Sequence, residues 1–425
     1  MSPDQPPARS PRWNAVRLAG FLALAAAVVL AVLLVVHPAG VVISSPRSAW
    51  AAVAGLVVLG VLLALARLST VVLAVVAAMV GYVVLAAPVQ LRAAPTAAEV
   101  AAALPSGARV ASVGPAEVRR PSMGVSTETV QELSDFITAT RTVPDEWDMF
   151  QAWSTGKPLD VRLADNVVSR GVQLSITWMP WNPDGSPVSP WDHSVQPNYT
   201  LASIIDGAHD AYIDRFARSV AQVPATVTIR LMHEMNGIWY PWSPGVNGNG
   251  GPEQYIAAWR HVHDRFAALG VTNVTWMWAP NAIYEGGADI APLYPGDAYV
   301  DEVGVDNYNW GDFTHDGSTT EWATFDDLFG PSIAALQRIT SRPIWISETA
   351  SSDHGGSKAA WLTATLAEIA KRPEIAGLIY FDHVDPKAGI DWRIDRDPAA
   401  VRAWVDAFLH RPAVRTDQVH GAGPN

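Results

Sequence analysis

The sequence contains no cysteine, so no disulfide bond stabilises any part of the chain. This absence suits an exported domain that folds without disulfides, and it suits a reducing compartment equally well. Clusters of basic residues interleaved with aromatic residues are also missing, and the formal net charge is −12. Both features argue against a nucleic-acid partner, because phosphate binding depends on lysine and arginine. The acidic balance also disfavours anionic substrates.

Charged residues are absent from three hydrophobic runs before residue 90, and each run is close to the ~20 residues that a bilayer-spanning helix needs. The runs are Leu18 to Val36, Ala49 to Ala66 and Leu68 to Pro88. Arg9, Arg12 and Arg17 precede the first run, and each later connection carries a single arginine. The positive-inside rule therefore predicts a cytoplasmic N-terminus and, after three spans, an extracellular C-terminal part. A cleaved signal peptide, the alternative, accounts for only one run.

Composition divides the chain into five parts. We expect a cytoplasmic tail (1–15), a membrane domain with three transmembrane helices (16–88), a linker rich in alanine and proline (89–118), a folded domain (119–412) and a C-terminal tail (413–425). The prediction is a multi-pass protein of the cell membrane whose helices contact membrane lipid and whose folded domain lies outside the cell.

From residue 119 onward, short β-branched or apolar runs alternate with longer amphipathic stretches, which is typical of βα units. Eight runs are interpreted as strands: PSMGVS, PDEWDMF, VQLSITW, TVTIRLMHE, NVTWMWAPN, DEVGVDNY, PIWISET and IAGLIYFD. Helices are predicted at 127–140, 158–170, 204–222, 252–269, 319–339, 357–372 and 397–410. The connection after NVTWMWAPN is too short and too rich in proline for a full helix. The fold class predicted is an α/β protein, a (β/α)₈ TIM barrel preceded by three transmembrane helices.

The predicted barrel identifies two glutamates as candidate catalytic residues. Glu234 comes at the end of the fourth predicted strand and Glu348 at the end of the seventh, and catalytic groups of such barrels stand at the C-terminal strand ends. Two carboxylates converging there suit retaining glycoside hydrolysis. In the alternative interpretation, both acids are structural and are held by backbone N–H groups or by an arginine such as Arg230.

The segments RLMHEMNGIWYPW, VGVDNYNW and IWISETAS resemble family 26 of the glycoside hydrolases over about 119 to 412. The resemblance implies that Glu234 is the acid/base and Glu348 the nucleophile. It further implies that Tyr308 hydrogen-bonds the nucleophile, that His233 shapes the sugar-binding side, and that Trp239 and Trp392 are sugar platforms.

Further residues are predicted from their positions. Trp178 ends the third strand and is expected in the cleft, whereas Asn236 is expected to contact sugar or to support the residues that do. Asp382 and His383 end the eighth strand and suit either cleft lining or structural hydrogen bonds. No metal is expected, because HEMN lacks the second histidine of a zinc-binding HExxH motif. No cofactor is expected either, since both steps of retaining hydrolysis use only carboxylates and water.

The predicted substrate is a β-linked polysaccharide, either β-1,4-mannan or mixed-linkage β-1,3-1,4-glucan. Many mannanases of family 26 carry a further tryptophan where this chain has Pro241, and the form NGIWYPW is more similar to members that act on mixed-linkage glucan. Two other functions stay open, namely a binding module without catalysis and a transglycosylase in extracellular polysaccharide assembly. In the last case the chain would associate with machinery for polysaccharide synthesis or export.

Overall fold

The computed structural model describes residues 41–43, 91–93, 118–184, 194–315, 318–411 and 414–415. Contacts divide the chain into two units, Met1–Thr96 and Ala97–Asn425. In the first unit, Val41–Ile43 pairs antiparallel with Leu91–Ala93. The three hydrophobic runs predicted to span a membrane lie outside the described residues. Within the ranges given above, no helix is both long and apolar enough to cross a bilayer.

The second unit contains a closed parallel barrel of eight strands, each paired with its neighbours in chain order. The strands are β1 Ser122–Ser126, β2 Glu146–Ala152, β3 Gln173–Met179, β4 Val227–Leu231, β5 Val274–Trp278, β6 Glu302–Asp306, β7 Ile344–Thr349 and β8 Ile375–Phe381. Each overlaps one of the eight runs interpreted as strands. The prediction of a (β/α)₈ barrel is therefore confirmed.

Helices connect the strands and cover the outside of the barrel. They are α1 Val130–Thr140, α2 Val161–Val168, α3 Leu201–Ile205, α4 Asp210–Val220, α5 Pro252–Ala268, α6 Phe325–Ile339, α7 Lys358–Ile369 and α8 Pro398–His410. The helix predicted at 204–222 is divided into α3 and α4. After β5, the described chain forms only the single 3₁₀ turn Ala291–Leu293, where no full helix was expected.

Local sequence sets where these helices begin. Thr129 and Thr324 accept hydrogen bonds from the third residue of α1 and of α6, and Glu132 and Asp327 bond back to the cap backbone. These reciprocal bonds satisfy amide groups that have no partner inside the helix. Helices α5 and α8 begin with proline, which lacks the amide hydrogen that would be unpaired there.

The barrel interior is packed separately from the layer between strands and helices. Trp345 forms a buried cluster with Met277, Ala376 and Ile379, on β5, β7 and β8. A Cβ at Gly377 would lie 2.5 Å from Cζ3 of Trp345, so glycine leaves the space that this indole fills. Side chains therefore fill this part of the barrel interior.

Candidate active site

A cleft with a volume of about 760 Å³ lies over the C-terminal ends of the strands and contains both predicted acids. Its lining includes Trp181, Glu234, Trp239, Tyr308, Trp310, Glu348, Phe381, His383 and Trp392. The cleft therefore places the two predicted acids among several aromatic side chains, and the carboxyl groups of Glu128 and Asp385 also belong to its lining. This combination suits sugars, whose C–H faces pack on flat rings while a few polar groups orient them.

Glu234 lies three residues beyond the end of β4, not in the strand as the sequence suggested. Met232 and Glu234 both adopt left-handed backbone conformations, with φ of 46° and 51°. The amide of Glu234 donates to the carbonyl of Ala279 at 2.7 Å, which ties this turn to the segment after β5. Left-handed residues other than glycine are costly, and they concentrate at functional sites.

The carboxyl group of Glu234 is almost enclosed, with 8% of the residue exposed. Trp239 donates from Nε1 to its Oε2 at 2.8 Å. Burial, together with the charge of Glu348, raises the pKa of Glu234 to about 8, and the hydrogen bond from Trp239 lowers it in part. Glu234 therefore keeps its proton at neutral pH, as a general acid must.

Glu348 lies within β7 and is 6% exposed. Its Oε2 accepts a hydrogen bond from Nη2 of Arg230 at 2.5 Å, and its Oε1 accepts one from the hydroxyl of Tyr308. The contact with Tyr308 is the one that the family resemblance implies. Both oxygens of Glu348 therefore accept a hydrogen bond, and one of the donors carries a positive charge.

Arg230 is the centre of a fully buried charge cluster between β2, β4, β6 and β7. Besides Glu348, its guanidinium contacts Asp306 at 2.7 Å and Asp148 at 3.6 Å, and its Nε donates to Thr177 at 2.8 Å. Burial alone would lower the pKa of Arg230, but the surrounding carboxylates raise it. A buried ion pair of this kind needs such additional hydrogen bonds to offset desolvation. Arg230 therefore holds Glu348, as the alternative interpretation suggested, but it does so within the cleft.

The two predicted platforms differ in their exposure. Trp239 packs its ring on Gly237, where a Cβ would lie 2.5 Å from the indole, and its centroid is 5.9 Å from that of Tyr284. Trp392 lines the cleft but is only 1% exposed, because its ring packs at 5.2 Å from Tyr308 and 5.0 Å from Trp310. Trp392 therefore presents little more than an edge to the cleft.

The structure contradicts the prediction that Trp178 lies in the cleft. Trp178 is fully buried, stacks on Phe216 of α4 at 4.2 Å, and donates from Nε1 to the hydroxyl of Tyr212. The reason is strand alternation, since Thr177 points into the barrel towards Arg230 and its neighbour must point outward. Trp178 is a core residue between the barrel and its helices.

His233 and Asn236 lie behind the cleft surface rather than on it. Burial lowers the pKa of His233 well below its usual value, and its Nε2 lies 3.2 Å from the hydroxyl of Tyr240. Asn236 donates from its amide to the carbonyl of Asn281 at 2.8 Å and accepts from the amide of Asn281 at 2.8 Å. Both residues therefore support the turn that carries Glu234, and for Asn236 this is one of the two roles expected from the sequence.

The sequence predicted Arg230 only as a structural partner of the two acids, and it did not predict the cleft position of Trp310. Both had a signal in the sequence, because an arginine interrupts the apolar run TVTIRLMHE and Trp310 follows the sixth strand in VDNYNW. Of the two residues left open, His383 lines the cleft, whereas Asp382 is buried and accepts from the amide of Ile394 at 2.6 Å.

The proteins to which this chain is similar are glycoside hydrolases. Residues 199–344 match glycosyl hydrolase family 26. Endoglucanase H of Acetivibrio thermocellus is 37% identical over 265 residues, which are 61% of this chain and 27% of that protein. A mannan endo-1,4-beta-mannosidase of Bacillus subtilis is 28% identical over 136 residues, 30% of this chain and 36% of that protein. The chain thus spans about a third of the length of these relatives.

Solved structures show the same fold at low sequence identity. The catalytic domain of an endo-beta-1,4-mannanase from Bacillus sp. JAMB-750 superimposes with a TM-score of 0.54 at 18% identity, covering 71% of this chain and 89% of that one. A beta-mannanase from Bacteroides ovatus gives a TM-score of 0.51 at 17% identity, with 72% and 94% covered. The family match over residues 199–344 and the identity to endoglucanase H, together with the barrel and the cleft, support an assignment of the described barrel domain to glycoside hydrolase family 26.

Proposed function

We propose that this chain is a membrane-anchored, retaining endo-β-glycanase that hydrolyses O-glycosidic bonds in a β-linked polysaccharide. The observation that carries the proposal is the unequal environment of two carboxyl groups in one aromatic cleft. Glu234 keeps a proton because its pKa is raised to about 8, and Glu348 is held by a guanidinium and a tyrosine hydroxyl. This is the division between acid and nucleophile that double displacement requires.

In the first step, a carboxylate oxygen of Glu348 attacks the anomeric carbon while the glycosidic C–O bond breaks and Glu234 protonates the leaving oxygen. In the second, Glu234 removes a proton from water, the water oxygen attacks the same carbon, and the bond to Glu348 breaks. Both carboxyl groups return to their starting states. Trp239 is proposed to pack against the sugar beside the cleaved bond, and Trp392 to contact the substrate with the edge that reaches the cleft.

The mechanism is tested by trapping the covalent intermediate. The full-length chain is incubated with a 2-deoxy-2-fluoro glycoside that has a reactive leaving group, because the fluorine slows hydrolysis of the intermediate more than this leaving group slows its formation. Peptide mapping should place the label on Glu348, and the first product from an ordinary substrate should have the β configuration. An α product would show inversion, and a label elsewhere would move the nucleophile.

The substrate is proposed to be mixed-linkage β-1,3-1,4-glucan or β-1,4-mannan. The relative named endoglucanase H supports the glucan, as does Pro241 in the form NGIWYPW, whereas the relatives named mannosidases support mannan. Reducing-end release from both polymers, with β-1,3-xylan and β-1,4-xylan for comparison, decides between them. A rapid fall in viscosity marks endo cleavage, binding without release supports a binding module, and longer products mark a transglycosylase.

The cell membrane is the proposed location, with the barrel on the extracellular side. The three uncharged runs and the position of the arginines support this topology. There the cleft would meet glycan emerging from synthesis or export machinery, which we propose as a partner. Protease added to intact cells should release the barrel by cutting within residues 89–118. Full protection of the barrel would overturn the topology.

A further inference from the structure

The short segment Asp391–Ile394, which carries Trp392, is held to the barrel by hydrogen bonds of its backbone to residues 380–383. The amide of Trp392 donates to the carbonyl of His383 at 3.0 Å, and its carbonyl accepts from the hydroxyl of Tyr380 at 2.8 Å. The amide of Ile394 donates to Asp382 at 2.6 Å. Buried backbone groups need such partners, and this segment takes them from side chains and backbone of the residues that end the eighth strand.

Lys358 supplies the remaining two contacts from the first residue of α7. Its Nζ donates to the carbonyls of Asp391 at 2.7 Å and Arg393 at 3.0 Å, the two residues that flank Trp392. Lys358 is only 3% exposed, and burial lowers its pKa. The carboxylate of Asp353 lies 3.9 Å from Nζ. A buried lysine is costly unless its donors are used, and here two of the three are given to this segment.

The segment fixes a ring that contacts the group holding the proposed nucleophile. Trp392 packs at 5.2 Å from Tyr308, and Tyr308 donates to Glu348. Any movement of Asp391–Ile394 therefore shifts the ring against which Tyr308 rests. Lys358 itself is not among the residues that line the cleft.

We propose that Lys358 is a positioning residue for Trp392: its ammonium group ties the two flanking carbonyls and so sets the indole against Tyr308 in the cleft. This inference rests on the proposed function of the cleft. Lys358 acts on substrate only through Trp392, and this distinguishes positioning from a general contribution to stability.

Amide exchange tests the first half of the proposal without reference to activity. In the full-length chain, Lys358→Met should accelerate exchange at residues 392–394 by about 10- to 100-fold, as expected when hydrogen bonds to a charged group are lost. The matched control is Lys371→Met, two residues beyond the end of α7, where Nζ pairs with Glu368 on the surface. Unchanged exchange at 392–394 in Lys358→Met would overturn the proposal.

A double-mutant cycle tests the second half. Lys358→Met should raise KM for the polysaccharide by about tenfold with a smaller change in kcat, but in a Trp392→Ala background it should leave KM within about twofold. An undiminished effect in that background would show that Lys358 does not act through Trp392. If Lys358→Met fails to fold, Tyr380→Phe removes the bond to the carbonyl of Trp392 and enters the same cycle.

The two arms separate this inference from the proposed function. If the unmodified chain cleaves no glycan, the proposed function fails, whereas the exchange measurement still decides whether Lys358 fixes the segment.

Discussion

Glu234 and Glu348 have the same side chain, and they stand in one cleft on two different kinds of backbone. Glu234 lies in an irregular turn with a left-handed conformation and accepts one hydrogen bond from an uncharged indole. Glu348 lies within strand β7, where the pairing register shifts, and accepts one hydrogen bond at each oxygen, one of them from Arg230. The chemistry of each acid is therefore set by the donors that its backbone position allows.

Because Glu348 lies in a barrel strand, its two hydrogen-bond donors come from the adjoining parts of the barrel. Arg230 lies on β4 and Tyr308 is the second residue after β6, so the positions of both donors are fixed by the barrel. Glu234 depends instead on a segment folded back on itself, in which Trp239 reaches the carboxyl group over Gly237. We expect mutations at the two acids to differ in kind as well as in size.

Removal of the proposed nucleophile should have the largest effect. Glu348→Ala leaves no group to form the covalent intermediate, so kcat should fall by more than the ~10⁴-fold upper range of general acid–base effects, for good and poor leaving groups alike. Steady-state rates on an aryl glycoside and on polysaccharide measure this. Glu253→Ala, an exposed acid in the first turn of α5, is the control. Azide added to Glu348→Ala should give the α-glycosyl azide, and a β-azide would contradict the assignment.

Removal of the proposed acid should have a smaller effect that depends on the leaving group. Glu234→Ala should lower kcat on polysaccharide by about 10²–10⁴-fold, whereas a substrate with a good leaving group needs little protonation and should still form the intermediate. Azide should then restore turnover and give the β-glycosyl azide. Equal losses on both substrates, without rescue by azide, would place the acid elsewhere.

A side chain added at Gly237 should lower activity by disturbing the hydrogen bond from Trp239 to Glu234, while both acids remain in place. In Gly237→Ala, the new Cβ would lie 2.5 Å from the ring of Trp239 and must displace it from Glu234. We expect kcat/KM on polysaccharide to fall by about tenfold, which corresponds to the loss of one hydrogen bond of about 1.4 kcal/mol. Gly330→Ala, in α6 with open space around the new Cβ, is the matched control. Wild-type kcat/KM in Gly237→Ala would show that the position of Trp239 does not matter.

The smallest expected effect is a shift of the pH profile. Glu234 must be protonated to act as acid, so kcat/KM on polysaccharide should fall as pH rises through about 8. Trp239 donates a hydrogen bond that lowers the pKa of Glu234, so Trp239→Phe should move this alkaline limb to higher pH. A limb that moves to lower pH would contradict the role of the indole. A substrate with a good leaving group should show no such limb in either protein.

The sequence was sufficient for the parts of the molecule that depend on periodicity. All eight barrel strands overlap their predicted runs, because each is a short apolar stretch bounded by turns and helical segments. Glu348 lies near the end of its predicted strand for the same reason, whereas Glu234 lies three residues beyond the end of β4. The three predicted membrane spans and the catalytic roles of the acids stay predictions.

Features that depend on side-chain direction were not predictable in this way. Trp178 ends a strand as expected, but only the register with β4, which pairs Thr177 with Arg230, shows which of two adjacent side chains points inward. The left-handed backbone at Met232 and Glu234 could not be predicted, because neither residue is a glycine. Likewise, nothing local to Lys358 shows that its ammonium group reaches a segment more than thirty residues away.

The left-handed conformation of Glu234 lowers the stability of the fold at a residue that the proposed activity needs. A non-glycine residue there costs about 1–2 kcal/mol relative to ordinary helical backbone, and glycine adopts the same conformation without that cost. Replacement by glycine would also remove a carboxyl group from an almost enclosed site. A library of variants selected for heat resistance alone should therefore be enriched in chains that have lost this acid, and screening must retain activity as a second criterion.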